Sequence, residues 1–346
     1  MSVNGETNTE AKRVRRRRGR AGKVMLAIVL LIFIPLVVLW FMATQPLLPG
    51  AQGRRREAAR AADTARLSAH VRALSETFAP RDAAHTENLD RVADYLRAEF
   101  ERAGAQVSEQ PFRVGARTYR NVIASFGPPD AERVVVGAHY DTAGSQPGAD
   151  DNASGVAGLL ELARLVGHAP PTGARLDLVA YTLEEPPYFR SADMGSRVHA
   201  DSLRSAGVRV RAMLSLEMIG YFSDAEESQQ FPVALLKAFY PSRGNFITVV
   251  GRFGRGGLVR RVKRAMTGAT ELPVYSINAP RSVPGVDFSD HLNYWNVGYE
   301  AAMITDTAFY RNPHYHDSTD TADTLDYRRM ASVVEGVHAA VLELAR

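Results

Sequence analysis

From Val24 to Ala43 the chain reads VMLAIVLLIFIPLVVLWFMA, twenty residues without a charge. A helix of that length rises about 30 Å, the thickness of a bilayer's hydrocarbon core. A helix that is apolar all round has to be buried in protein or lipid. Here it follows directly on an arginine block, which is the wrong start for a core helix. The run is long for a cleaved signal peptide, and no clear A-x-A site follows it. Pro35 is tolerated inside a membrane helix, and Trp40 suits an interface. The sequence therefore predicts a transmembrane helix over residues 24–44, between a basic tail (1–23) and a Pro/Gly-containing linker (45–61). Eight basic residues precede the run, and Arg54, Arg55, Arg56, Arg60 and Arg66 follow it. That bias places the N-terminus in the cytoplasm and the rest of the chain, as a single-pass inner-membrane protein, on the periplasmic or extracellular side.

The tail also explains the charge. Its eight basic and two acidic residues carry +6, which leaves −2 of the chain's +4 for everything else. The body is nearly neutral, so a nucleic-acid partner has no electrostatic footprint there. With no cysteine in 346 residues, disulfides, thiolate metal sites and cysteine nucleophiles are excluded.

Beyond residue 62, short β-rich runs alternate with helical ones. Strands are predicted at Val107–Val114, Tyr119–Phe126, Arg133–Ala138, Arg175–Thr182, Met213–Leu216, Phe246–Gly251, Val274–Asn278 and Ala302–Thr305. Helices are predicted from about Arg56 to Thr77, at Thr86–Ala103, Ala153–Val166, Arg190–Ala206, Gly257–Thr267, Asp290–Val297 and Tyr327–Arg346. This alternation predicts one α/β domain over 62–346, a mostly parallel mixed sheet flanked by helices. In such sheets ligands bind beyond the carboxyl ends of the strands.

Polar groups collect at those ends. The apolar strand of VVVGAHYDT closes on His139, with Asp141 two residues on and on the same side. This spacing suits a metal-binding imidazole oriented by a carboxylate, and equally a structural histidine paired with one. GADDNASG brings Asp150 and Asp151 ahead of a helix with Asn152 or Ser154 as its cap. In LEEPP, Glu184 and Glu185 point apart and need different tasks; one can bind a metal while the other acts as a base. Glu217 sits in the apolar run MLSLEMIG, where an unpaired carboxylate costs several kcal/mol and so calls for a metal, a cation or a proton. His314 and His316 lie in RNPHYHDSTDT, after the last strand. The set offers nitrogen and oxygen donors and no sulfur, as a pair of zinc ions sharing a carboxylate requires.

The ordered motifs GAHYDT, GADDNASG, LEE, SLEMIG and YHDSTDT resemble the M28 family of zinc peptidases, in particular its bacterial membrane-anchored members, over roughly residues 62–346. The resemblance implies a metallo-aminopeptidase acting on peptides with two zinc ions per chain. His139 and Glu217 would complete one metal site, His316 and Glu185 the other, and Asp151 would bridge them. Glu184 would be the general base toward a metal-bridging hydroxide. Asp141 would steady His139, and Asp320 would support the site near His316. Many members carry aspartate at the position of Glu217. The tyrosine that some members place near SDH to stabilise the oxyanion has no obvious equivalent; Tyr188, Tyr221, Tyr310 and His291 are the alternatives. A glutaminyl cyclase-like or other amidohydrolase chemistry on the same scaffold is the rival reading. Substrate would be lined by loops such as 221–245 and 279–286.

Overall fold

The computed structural model describes residues 23, 25, 29–31, 33–47 and 61–346. The basic tail up to residue 22, most of the linker and parts of the apolar run lie outside the described residues. Residues 33–44 are helical (α1), and the apolar side chains of Phe33, Ile34, Leu36 and Leu39 are exposed. Among the described residues no helix is long and apolar enough to cross a membrane; the expected span 24–44 is described only in part.

The body opens with helix α2 (Thr64–Arg72), whose first turn is capped by the Asp63 carboxylate accepting from Ala65 N and Arg66 N at 2.9 and 3.2 Å. Helix α3 (Thr86–Arg102) follows, burying Leu89, Val92, Leu96 and Phe100 at helical spacing. Strands β1 (Gln106–Val114) and β2 (Arg117–Phe126) form an antiparallel hairpin at one edge of an eight-stranded sheet. The spatial order is β1-β2-β4-β3-β5-β8-β6-β7. Its centre is four parallel strands, β4 (Arg175–Tyr181), β3 (Arg133–His139), β5 (Val210–Glu217) and β8 (Ala301–Thr305). Strand β6 (Ile247–Arg252) runs antiparallel to β8, and β7 (Val274–Ala279) pairs parallel with β6 at the far edge.

Both faces of the central strands are covered, which is why these strands read as unbroken apolar runs. On β3, Val134, Val136 and Ala138 enter the larger apolar cluster with α2, α3, α4 (Gly155–Gly167), α6 (Gly256–Thr267) and α8 (Tyr327–Leu344). Val135 turns to the smaller cluster on the opposite face, formed with α5 (Gly195–Ser205) and α7 (His291–Asn296). The chain passes from β3 to β4 on one side, then crosses back to place β5 on the other side of β3. A crevice forms at such a reversal, beyond the carboxyl ends of β3 and β5.

All eight predicted strands are present, with ends shifted by at most three residues. Helix α5 starts at Gly195 rather than Arg190, because Arg190 is held at φ 63° in turns that follow the LEEPP segment. The first predicted helix starts at Thr64, behind the Asp63 cap, with residues up to 60 outside the described ones.

One buried cation ties the early helices to the sheet. Arg81 is fully buried and donates to four main-chain oxygens: Nε to Tyr140 (2.9 Å), Nη1 to Leu74 and Pro147 (2.6 and 2.8 Å), Nη2 to Gly148 (2.9 Å). Burial pushes its guanidinium down to about 10, against the pull of Asp320 and Asp141, so it stays charged near neutrality. Arg81→Met removes every donor and leaves these carbonyls buried. At roughly 1–3 kcal/mol per unsatisfied group, a loss of at least about 3 kcal/mol is expected as a lowered urea midpoint. An unchanged midpoint would show that water replaces the guanidinium at no cost.

Candidate metal centre

Four strand ends deliver the polar groups. His139 is the last residue of β3 and Glu217 the last of β5. Glu184 and Glu185 follow β4, Asp151 lies in the turn before α4, and His316 lies in the loop after β8. All are buried except His316, which is partly exposed.

Two trios result. In the first, His139 Nε2 lies 3.4 Å from both Asp151 Oδ1 and Glu217 Oε2. In the second, His316 Nε2 lies 3.1 Å from Asp151 Oδ2 and 3.2 Å from Glu185 Oε2. Each set of donor atoms falls within 4.8 Å of one another. Asp151 belongs to both and turns a different oxygen to each. Despite these approaches, His316 Nε2 has no hydrogen-bond partner, and Glu185 Oε1 is buried without one. Four carboxylates (Asp151, Glu184, Glu185, Glu217) face two imidazoles, so even with both rings protonated the cluster remains negative. A divalent cation fits this donor set, which is nitrogen and oxygen throughout.

The titration pattern says the same. Burial raises Glu184 well above the ordinary carboxyl range, with Glu185 and Glu217 adding to it against the pull of His139. Burial and the charge of Asp151 raise Glu185 to about 7. Burial opposes charge on His316, yet the close carboxylates of Asp151 and Glu185 raise it to about 10. Burial also opposes charge on Asp151, but the two imidazoles hold it below its usual range. Carboxyls forced toward protonation beside imidazoles forced toward charge mark a site short of positive charge.

Around this centre the backbone is fixed by side chains. Asp141 accepts from Glu184 N and Glu185 N, both at 3.1 Å, and its main-chain oxygen accepts from His139 Nδ1 at 3.2 Å. It thus orients the imidazole through its carbonyl and the paired glutamates through its carboxylate, which stands 3.7 Å from Nδ1. Asp320 accepts from Asp150 N and Asp151 N at 2.9 and 3.0 Å, holding Asp151 rather than His316. Of the two expected caps, Asn152 takes the α4 end: its Oδ1 accepts from Gly155 N and Met218 N, both at 3.1 Å, and its Nδ2 donates to Leu216 O at 2.9 Å. That side chain joins the Asp151 turn to the end of β5.

The comparisons with known proteins agree with this geometry. The family model for peptidase family M28 matches residues 121–341. The chain is 46% identical over 325 residues to the uncharacterized protein YfbL of Escherichia coli K12, covering 91% of this chain and 97% of that one. The chain belongs to peptidase family M28. The hydrolase class expected from the sequence follows from that membership. More distant is leucine aminopeptidase 1 of Ajellomyces dermatitidis, 25% identical over 239 residues, 65% of this chain but 56% of that protein's length. The fold is shared with a zinc aminopeptidase from Bacillus subtilis (TM-score 0.64, 16% identity, 82% and 95% of the two chains). It is shared equally with a glutaminyl cyclase of Bacteroides thetaiotaomicron (TM-score 0.61, 20% identity, 82% and 98%).

Within this M28 chain the candidates for an oxyanion partner separate. Tyr188 packs against Tyr119, and Tyr221 packs edge-on against His314. His291 is buried and hydrogen-bonded through Nε2 to Val286 O at 2.9 Å. Tyr310 donates to Pro284 O at 3.2 Å and lines a cavity of about 100 Å³ beside Glu217. Tyr315, which sequence reasoning did not single out, lines the same cavity and stacks on His316 at 3.9 Å and 17°. Its place next to a predicted ligand was the available signal. The cavity walls come from 229–250 and 277–288, which overlap the two expected loops, and from 303–315, and are mostly apolar: Phe231, Leu236, Phe246, Val286, Phe288 and Phe309 among them.

Glu217 is steadied by Ser289, whose Oγ lies 2.6 Å from Glu217 Oε2 and 2.8 Å from Ser215 Oγ. Ser289→Ala should weaken divalent-metal affinity about 10- to 100-fold, the usual effect of losing a partner behind a ligand. Chelator competition measures it, and unchanged affinity would remove Glu217 from the donor set.

Proposed function

We propose that this M28 protein is a zinc-dependent aminopeptidase that removes N-terminal residues from peptides, with two zinc ions per chain. The observation that carries the proposal is the pair of trios sharing Asp151, with Glu184 beside both and in neither. His139, Glu217 and Asp151 would hold one ion, and His316, Glu185 and Asp151 the other. Bound zinc supplies Lewis-acid activation of the peptide carbonyl and of water. Glu184 is the general base. Its carboxyl is buried, its oxygen stands 4.0 Å from His139 Nε2, and burial raises its proton affinity. It takes a proton from water as the carbonyl is attacked and returns it to the departing amine. Asp141 positions Glu184 and Glu185, and Asp320 positions Asp151. The adjoining cavity, walled mostly by apolar side chains, accepts an apolar first side chain.

We also infer that residues 24–44 anchor the catalytic domain, residues 62–346, to the inner membrane, with the 1–23 tail cytoplasmic and the domain outside. The length of the uncharged run and the exposure of the apolar side chains on α1 support this reading.

The test is the zinc-loaded full chain, incubated in detergent with free, N-acetylated and N-terminal-glutamine peptides and read by product mass. Stepwise loss of N-terminal residues from the free peptides alone is expected. Loss of ammonia from glutamine peptides alone would replace the proposal with a cyclase. Glu184→Gln should keep its zinc and lose at least ~10²-fold in rate. Near-normal turnover in that variant would sink the base assignment.

A further inference from the structure

The base of α1 is fixed to the domain. A helix end leaves carbonyls without partners, and a cation there also meets the negative end of the helix dipole. Both needs are met by the body. Buried Lys263 on α6 donates to Thr44 O and Gln45 O at 3.1 and 3.3 Å. From β7, Ser276 Oγ donates to Thr44 O at 2.7 Å and Asn278 Nδ2 to Met42 O at 3.2 Å. The Arg260 guanidinium lies 4.8 Å from the centre of the Phe41 ring. This contact sets which face of the domain surrounds the helix.

That face carries two further features. Helix α6 contains no acidic residue, and Arg260, Arg261 and Arg264 along it are exposed, Arg264 3.4 Å from Glu343 of α8 and Arg261 outside any such pair among the described residues. On the other side of β7, the Tyr240 hydroxyl donates to Ser276 O at 2.7 Å and pins the segment 231–240 to the strand that receives α1. In this segment Val233, Leu235 and Phe239 are 49%, 67% and 47% exposed. They are three of the six large apolar side chains exposed in residues 61–346, gathered within seven positions. The same segment sends Phe231, Leu236 and Tyr240 into the cavity beside Glu217.

We propose that this face seats on an anionic lipid surface. The arginines of α6 meet the headgroups, and Val233, Leu235 and Phe239 enter the interfacial layer. The occupant follows from continuity with α1 and from charge: the face begins where the apolar helix leaves the domain and is basic beside it. The proposal rests on the membrane-anchor reading of residues 24–44. It also sets the substrate's approach, because the wall of the cavity would lie at the lipid interface, within reach of N-termini presented there.

The chain has no cysteine, so Leu235→Cys gives a single labelling point on an exposed residue. Full-length protein labelled there with an environment-sensitive dye is reconstituted into vesicles of phosphatidylcholine and phosphatidylglycerol in equal parts, with and without doxyl lipids. A Glu87→Cys label on α3, beside the opposite edge of the sheet, is the control. Expected are co-flotation with vesicles, a blue shift and doxyl quenching at 235, and neither shift nor quenching at 87. Arg261→Glu and Arg264→Glu should each weaken the seating about fivefold. Failure to float would overturn the anchor and the seating together. Flotation with an unquenched, water-exposed label at 235 would overturn the seating alone. Quenching that is equal on pure phosphatidylcholine and unchanged by both reversals would overturn the role of the arginines. A blue shift without doxyl quenching would assign the patch to a protein contact instead.

Discussion

Asp151 directs one carboxylate oxygen toward each of two histidines, and the rest of the centre is arranged to keep it there. A buried aspartate between two imidazoles is stable only if its backbone cannot drift. Three separate side chains see to this. Asp320 accepts from the backbone amides of Asp150 and Asp151, one on each carboxylate oxygen. Asn152 locks the turn to β5. Arg81 holds the carbonyls of Pro147 and Gly148 from beneath. The negative charge that these supports concentrate in one place is what makes a cation necessary.

A second buried layer lies behind the first. Asp150 accepts from Gly220 N and Asn312 Nδ2, and Asp306 accepts from Tyr221 N and Ala308 N. Burial and the proximity of Asp306 keep the Asp150 carboxyl raised well above its ordinary range. Arg311, buried and 4.6 Å from the Phe246 ring centre, supplies the nearby positive charge. The stretch RNP that leads to the His314–His316 loop is thus partly inward-facing, and it joins the turn bearing Asp151 to the loop bearing His316.

The sheet was legible because burial on both faces leaves a simple trace: VVV in β3, LVA in β4 and MLSL in β5 can only be covered strands. His139 and Glu217 were legible as candidates for the same reason, polar residues closing apolar runs. The fit of Glu184 and Glu185 depended on a turn whose geometry only the fold provides. Asp141 read as a partner of His139 because strand residues two apart share a side. Its carboxylate instead reaches across to the amides after β4, a contact with no periodic signature. Arg81 carries no pattern at all, since its partners are carbonyls from three places in the chain. The start of α5 was misplaced because Arg190 occupies a left-handed conformation that its residue type does not announce. Tyr315 was passed over because its neighbour His316 explained the motif without it.

The donors at the centre are spread along the chain from His139 to His316, one after each of four parallel strands or the turn that follows β3. During synthesis the donors are made in that order, His316 last. A fragment that ends before His316 therefore lacks the imidazole on one side of Asp151. Chain order alone leaves Asp151 facing a single imidazole until His316 is in place.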